Sequence, residues 1–228
     1  MIGVDLTVRS RLSLCQEIRG RLTEGSMNIF RGTPFGPWLD LTMQNVDATL
    51  VANFLAREVP DPGAEIEQLT YNINGHVRHF GRADFMLITG LPFGLLPDQN
   101  YLLGNQLIRR LFPGSAPARP IPGQVFRVRL SEVRRVWTNE FGRLDDEDKA
   151  RIALILMVEF VFLGTQAKAF VSDEVIRAVD DFPGFSEYPW GSFIWTRTYK
   201  CMKGAFSRRT EIGNKMSCPG FLPAFNVS

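Results

Sequence analysis

The residues that could carry chemistry are two histidines and three cysteines. His76 and His79 are the only imidazoles, and the thiols belong to Cys15, Cys201 and Cys218. Cysteine proteolysis needs a thiolate, a histidine base and an orienting carboxylate or amide in one place. Neither Cys201 nor Cys218 stands in a nucleophile motif, and the apolar spacing around Cys15 and Cys201 favours buried structural thiols. We therefore expect no enzyme, with cysteine- or carboxylate-dependent catalysis the third of three hypotheses.

Metal and cofactor sites also find little support. His76 and His79 are three residues apart, so on a strand they point to opposite faces, and a solvated hairpin histidine is the favoured interpretation. The chain has neither of the glycine-rich phosphate motifs G-x-G-x-x-G and G-x-x-x-x-G-K-[ST]. Glu159 interrupts an apolar helix and could transfer protons, but pairing with an arginine or reaching the surface is favoured. We expect no cofactor and no metal.

Composition and charge indicate a globular intracellular protein. The formal net charge is +2, which is little excess for binding phosphate. An odd, sparse set of cysteines without C-x-x-C spacing is typical of reduced thiols. Charged residues interrupt the N-terminus, so no signal peptide is predicted, and the apolar run "IALILMVEFVFLG" is too short to span a membrane. We expect an intracellular location, with the nucleus as one option, and no membrane.

One helix offers a candidate contact surface. After Pro189 the apolar spacing predicts a helix whose basic residues share one arc, and further arginines follow. A solvated face is the default for such a charge run, with phosphate contact as the alternative. Trp195 falls toward the edge of the apolar stripe, where an aromatic side chain could meet a partner. The candidate contacts are Trp195, Arg197, Lys200, Lys203, Arg208 and Arg209.

The elements that must position these residues are mainly helices. Helical spacing covers residues 8–22 and 45–59, and the strongest helix is "LDDEDKARIALILMVEFVFLG", with acidic residues at its start and Gly164 past its end. Leu69, Tyr71 and Ile73 alternate with polar residues before Asn74-Gly75, which predicts a β-hairpin. Residues 113–123, "PGSAPARPIPG", predict a long proline-rich loop. The fold expected is one α+β domain over residues 1–228, mainly helical with a small antiparallel hairpin.

Four motifs together resemble a plant domain of unknown function, DUF1985, over about residues 30–224. They are "FRGTPFGPWLDL", "HFGRADFMLITGLPFG", "DEDKARIALILMVEFVFLG" and "VDDFPGFSEYPWGSFIWTRTYKCMKGA". The marks of the family are Phe35, Gly36, Thr89, Gly90, Leu91, Tyr188, Pro189, Trp190 and Gly191. Asp84 and Ser186 depart from it, standing where the family usually has glutamate and asparagine. The family also tends to continue beyond the segment that ends this chain, so we expect a truncated C-terminal edge.

The resemblance implies a non-catalytic interaction domain. The family occurs in plant genomes, often in transposon-derived proteins, and commonly lies upstream of a ubiquitin-like-protein (SUMO-type) cysteine protease domain. We expect that domain to be absent here. We expect an unknown protein partner and make no prediction of the oligomeric state. A nucleic-acid-binding module using the basic face from residue 197 to residue 209 is the alternative.

The motif of residues 188–191 is interpreted as a helix start. Because a residue before proline avoids the α region, Tyr188 is expected to be the extended cap and Pro189 the first helical residue. Gly191 leaves room for another segment to approach closely.

Overall fold

Helices dominate the fold and surround one apolar core. The computed structural model describes residues 5–42, 46–97, 106–115, 127–205 and 215–226. Within these ranges the helices are α1 Ser13–Arg21, α2 Glu24–Arg31, α3 Ala48–Leu55, α4 Arg82–Thr89, α5 Gln106–Leu111, α6 Leu130–Asn139, α7 Asp146–Leu156, α8 Asp173–Ala178, α9 Phe182–Glu187 and α10 Trp190–Met202. The prediction of a mainly helical α+β domain is confirmed. No helix in these ranges is long and apolar enough to cross a membrane.

The core is centred on α7, as its sequence predicts. The carboxylate of Asp145 caps the first turn by accepting the N–H of Asp148 at 2.7 Å. The helix continues into a π turn, Met157–Phe162, and every residue from 152 to 163 is buried. Gly164, with φ of 60°, ends it in the left-handed conformation that glycine favours.

Two small sheets complete the described fold. β2 Leu69–Ile73 and β3 His76–Phe80 form the predicted antiparallel hairpin. Asn74 and Gly75 have φ of 53° and 83°, which is the two-residue turn that this pair favours. β1 Asp5–Val8 and β4 Lys215–Cys218 pair in parallel, and this second sheet was not predicted.

Local patterns misplaced several boundaries. The helix expected over residues 8–22 is present as α1 but begins five residues later, at Ser13, and Val8 belongs to β1, where it pairs with Cys218. The helix expected over residues 45–59 is shorter, α3. Of the proline-rich loop predicted over residues 113–123, Pro113–Ser115 forms a single 3-10 turn, and residues 116–123 lie outside the described residues.

The expectation that all three cysteines are reduced thiols is wrong. Cys201, at the end of α10, forms a disulfide with Cys218 of β4, and their Cα atoms are 5.9 Å apart. The parallel pairing of β4 with β1 places Cys218 there, and a separation of 17 residues does not reveal it. The redox argument for an intracellular location therefore no longer holds. Cys15 is free and buried, and burial raises its pKa to about 12.

Candidate functional site

Two of the family motifs, residues 89–91 and 188–191, meet where the end of α4 contacts the start of α10, and we call this contact the joint between α4 and α10. The N–H of Gly191 donates to the carbonyl of Pro92 at 2.8 Å. A Cβ atom at position 191 would lie 2.3 Å from the ring of Phe93 and 2.9 Å from the carbonyl oxygen of Leu91. Gly191 is therefore required for this close approach, as the sequence predicted.

The Thr89-Gly90-Leu91 turn ends α4 and anchors it. Gly90 has φ of 66° and donates its N–H to the carbonyl of Met86 at 2.8 Å. The hydroxyl of Thr89 donates to the carbonyl of Phe85 at 2.7 Å, and the indole N–H of Trp38 donates to the carbonyl of Thr89 at 3.1 Å. These bonds give the turn a structural role.

The Phe35-Gly36 pair is also placed for packing. Phe35 is buried edge-on against Phe162 and Trp190, with centroid distances of 5.0 and 5.5 Å. A Cβ atom at Gly36 would lie 2.5 Å from the carbonyl oxygen of Arg31. Neither residue offers a surface to a ligand.

The start of α10 lies one residue later than predicted. Tyr188 is extended as expected, but Pro189, with φ of −75° and ψ of 65°, is the cap, and Trp190 is the first helical residue. Tyr188 is buried, and burial, with the nearby charge of Glu174, raises its pKa to about 12.

Trp195 lies inside the core, so the structure corrects its proposed role as a partner contact. Its side chain is 0% exposed, and its indole N–H donates to the carbonyl of Glu67 at 3.1 Å. Its ring packs on Phe85 and Phe80 at centroid distances of 5.2 and 5.6 Å. The hairpin and α4 thus cover the side of α10 that carries Trp195. Helical spacing alone places this residue at the edge of the apolar stripe.

The basic face of α10 is largely neutralised. Arg197 lies 3.8 Å from the carboxylate of Glu174 and donates to the Ser172 hydroxyl, and Lys203 lies 3.8 Å from the carboxylate of Glu58. Lys200 is exposed. Arg208 and Arg209 lie outside the described residues.

Both histidines stand on the exposed hairpin. His79 Nδ1 lies 3.2 Å from the hydroxyl of Thr70 and 3.8 Å from the carboxylate of Asp61. His76 is exposed on the opposite face of β3. In the described part of the chain no three metal-binding side chains come together.

Glu159 does not reach the surface, and among the described residues it forms no ion pair with an arginine, so the favoured interpretation is wrong. It is fully buried in the π turn, where its carboxylate accepts the N–H of Ser172 and the hydroxyl of Thr165, each at 2.6 Å. Burial raises its pKa, against the lowering effect of these hydrogen bonds and of Arg197. Its two hydrogen bonds hold both ends of the segment 165–172 against the π turn.

An apolar cavity of about 430 Å³ opens between the hairpin and α4. We call it the hairpin groove, and its lining residues come from α3, β2, β3 and α4: Phe54, Tyr71, Ile73, Arg78, His79, Phe80, Asp84, Leu87 and Ile88. Leu87, on the outer side, is 80% exposed. A cavity of this size holds one or two apolar side chains or a small ligand.

The outer edge of β3 borders the hairpin groove. Because Ile73 and His76 close the two-residue turn as a hydrogen-bonded pair, the N–H groups of Val77 and His79 point away from β2. On the β2 side, the outward groups of Thr70 and Asn72 are bonded to the segment 57–59. In the ranges that the structure describes, no backbone group bonds to Val77 or His79.

Sequence reasoning missed the hairpin groove. A signal was present in "FMLI", residues 85–88, because four consecutive apolar residues cannot all face one core from a helix. Only Phe85 of the four is fully buried, and Val77 on the opposite face of β3 is 55% exposed. Two residues of this run that are not fully buried, Leu87 and Ile88, line the groove.

The family model of the domain of unknown function DUF1985 matches residues 62–200. The match lies within the range expected from the motifs and includes the joint between α4 and α10, while Phe35 and Gly36 precede it. No curated protein and no solved structure matches the chain significantly.

Proposed function

The chain belongs to the DUF1985 family, a domain of unknown function, and from that premise we propose that it is a non-catalytic protein-interaction domain. Its partner presents an extended segment that adds to the outer edge of β3 and places apolar side chains in the hairpin groove. The plant, transposon-derived setting belongs to the same proposal and rests on the resemblance alone. An intracellular location, with the nucleus as one option, is also part of the proposal.

The observation that carries the proposal is the position of the hairpin groove beside the open edge of β3. An added strand would take its main-chain hydrogen bonds from Val77 and His79. Since alternate side chains of a strand point to the same face, every second residue of the partner would enter the cavity lined by Ile73, Phe80 and Leu87. Main-chain bonds would give affinity and the cavity would give specificity.

Arg78 favours an acidic residue in the partner, whereas Asp84, the acid that also lines the groove, accepts the backbone N–H of Gly81 at 2.8 Å. Arg78 is exposed and lines the groove, and within the described residues it forms no ion pair. A segment of alternating apolar residues with one Asp or Glu opposite Arg78 would complement this surface.

The placement of the thiols supports a non-catalytic role. Cys201 and Cys218 are joined to each other. Cys15 is buried, its Sγ lies 3.8 Å from the sulfur of Met157, and its raised pKa keeps it protonated. The histidines belong to the hairpin, so a cysteine–histidine mechanism would need groups from separate parts of the fold.

The alternative, nucleic-acid binding through residues 197–209, is less well supported at that face. Arg197 and Lys203 already lie near carboxylates, and a cation that is paired releases few counterions on binding phosphate. We therefore do not favour this face.

Selection from a displayed library of random peptides about 10 residues long would test strand addition, since a strand pairs over about 5 to 6 residues. We expect selected peptides to alternate apolar residues and to carry an acid. Val77→Pro removes an outward N–H and should abolish their binding, while Val77→Ala keeps that N–H and should retain it. Peptides that bind the proline variant as tightly as the original chain would overturn the proposal.

A further inference from the structure

We propose that a second surface of this domain binds the phosphate backbone of single-stranded nucleic acid. We call it the arginine face, and it consists of Arg11, Arg127, Arg129, Arg134 and Lys168 around the exposed Phe170. It is distinct from the hairpin groove and from the basic face of α10, and it does not depend on the proposed protein partner.

A short antiparallel pairing builds the centre of the arginine face. Arg129 lies opposite Phe170 in an isolated bridge, and the N–H of Val171 donates to the carbonyl of Val128 at 2.8 Å. Because side chains alternate, Arg127 and Arg129 share one face with Phe170, and Val128 and Val171 are buried on the other. Lys168, two residues before Phe170, is exposed beside them.

The guanidinium groups here are stacked on an aromatic ring that solvent reaches. The Cζ atoms of Arg129 and Arg127 lie 4.4 and 5.6 Å from the centroid of Phe170, which is 37% exposed. Guanidinium planes and aromatic rings are the side chains on which unpaired bases stack, whatever their sequence. The surface thus combines phosphate donors with a stacking position.

A second arginine pair adjoins the first. Arg11 and Arg134 have Cζ atoms 5.2 and 5.8 Å from the centroid of Phe160. Arg134 lies one helical turn after Leu130, whose N–H donates to the carbonyl of Ala169 at 2.9 Å. Arg134 therefore belongs to the helix that follows Arg127 and Arg129, and Arg11 comes from the segment between β1 and α1, which extends the positive surface beyond one phosphate.

The arginine face carries more cations than acids. In the described ranges none of them forms an ion pair, whereas Arg197 and Lys203 on α10 each lie 3.8 Å from a carboxylate. Two acids lie nearby: Glu132 accepts the backbone N–H of Arg129 and the hydroxyl of Ser115, and Asp173 lies close enough to Arg127 to feel its charge. Five cations against two acids leave an excess that attracts phosphates.

The composition of the surface favours nucleic acid over a membrane. Binding in the plane of a membrane needs several large apolar side chains on the same face as the charges. Among the described residues, Phe170 is the one large apolar side chain of the arginine face that is exposed. A single exposed ring among guanidinium groups suits base stacking.

Fluorescence anisotropy with a labelled oligodeoxythymidine of about 15 nucleotides, a length within the range that single-strand modules cover, tests the proposal. The intact chain is compared with Arg127→Gln/Arg129→Gln and with Lys200→Gln/Lys203→Gln, which removes the same charge from α10. We expect the arginine double variant to bind about 10-fold more weakly at low salt, and the lysine variant to bind within about 2-fold of the original. Log affinity should fall with log salt at a slope of about −2 to −3, as for three or four phosphates at about −0.7 each, and less steeply for the arginine variant.

Phe170→Ala separates stacking from charge, since it should weaken binding while leaving the salt slope unchanged. Equal losses in the two double variants, no binding by the original chain, or a preference for duplex would each overturn the proposal. So would arginine-dependent binding to phosphatidylserine-containing vesicles without binding to the oligonucleotide. Circular dichroism melts of each variant exclude misfolding as the cause.

Discussion

The carboxylate of Glu159 accepts the backbone N–H of Ser172 at 2.6 Å from inside the core. Its second oxygen accepts the hydroxyl of Thr165, also at 2.6 Å, so one buried side chain fixes both ends of the segment that carries Lys168 and Phe170. The π turn, which contains Glu159, widens the helix at this point. The arginine face therefore rests on a polar contact in the middle of the core.

Two substitutions at Glu159 should separate the contribution of its hydrogen bonds to stability from that of its charge. Glu159→Gln can accept from Ser172 and donate to Thr165, so we expect the free energy of unfolding to change by less than about 1 kcal/mol. Glu159→Ala leaves buried groups unpaired and a cavity, and should cost about 2 to 4 kcal/mol. Urea unfolding measures both, and an alanine variant as stable as the glutamine variant would contradict the fastening role.

Stability should depend on pH through the same group. Burial raises the pKa of Glu159 above its ordinary value of 4.5, so the folded chain holds this proton more tightly than the unfolded chain does. The resulting stabilisation is full below the ordinary value and is lost as pH rises through the folded pKa. We expect the original chain to lose stability relative to Glu159→Gln over that rise. Thermal unfolding at a series of pH values compares the two proteins. A difference in stability that stays constant from pH 4 upward would contradict this.

Alanine substitution at two glycines should change the stability of the fold in opposite directions. Gly191→Ala brings a methyl group against Phe93 and the carbonyl of Leu91, and should destabilise by about 1 to 3 kcal/mol. Gly20→Ala, within α1 and with open space around it, should stabilise by about 0.5 to 1 kcal/mol. Denaturant titration of both variants gives the comparison, and a neutral result at position 191 would contradict the joint between α4 and α10.

Reduction of the Cys201–Cys218 disulfide should lower stability. The bond closes a loop with a sequence separation of 17 residues. In the chain-entropy model, closing a loop of this length raises the free energy of unfolding by about 3 kcal/mol. We expect a reducing agent to lower the melting temperature of the original chain and to leave that of Cys201→Ser/Cys218→Ser unchanged. A reducing agent that lowers both equally would show that its effect does not come from this bond.

The parts of the fold that the sequence predicted depend on neighbours along the chain. The hairpin follows from Asn74-Gly75 between alternating residues, and α7 follows from an acidic start and a long apolar run. The pairing of β1 with β4 joins residues about 210 apart, such as Thr7 with Ser217, and no local pattern encodes it. The disulfide was missed for the same reason, because the pairing of β4 with β1 places Cys218 beside Cys201.

Surface sites were harder to predict for the same reason. Helical periodicity placed Trp195 at the edge of a stripe, yet the hairpin covers that edge. The sequence shows that arginines alternate with apolar residues before Leu130, but not that Phe170 lies opposite Arg129. Which charges are neutralised, and which exposed apolar residues border a cavity, are decided by contacts between distant segments.

The most direct test of the proposed interaction compares two exposed leucines. Leu87 lines the hairpin groove and is 80% exposed, and Leu95 lies outside it and is 96% exposed, so glutamate at either position should leave the fold intact. Titration calorimetry with a peptide selected on the original chain should show at least about 10-fold weaker binding to Leu87→Glu, since burying a leucine contributes about 1.5 to 3 kcal/mol. Binding to Leu95→Glu should match the original chain. Equal affinity of the peptide for both variants would contradict a partner site in the hairpin groove.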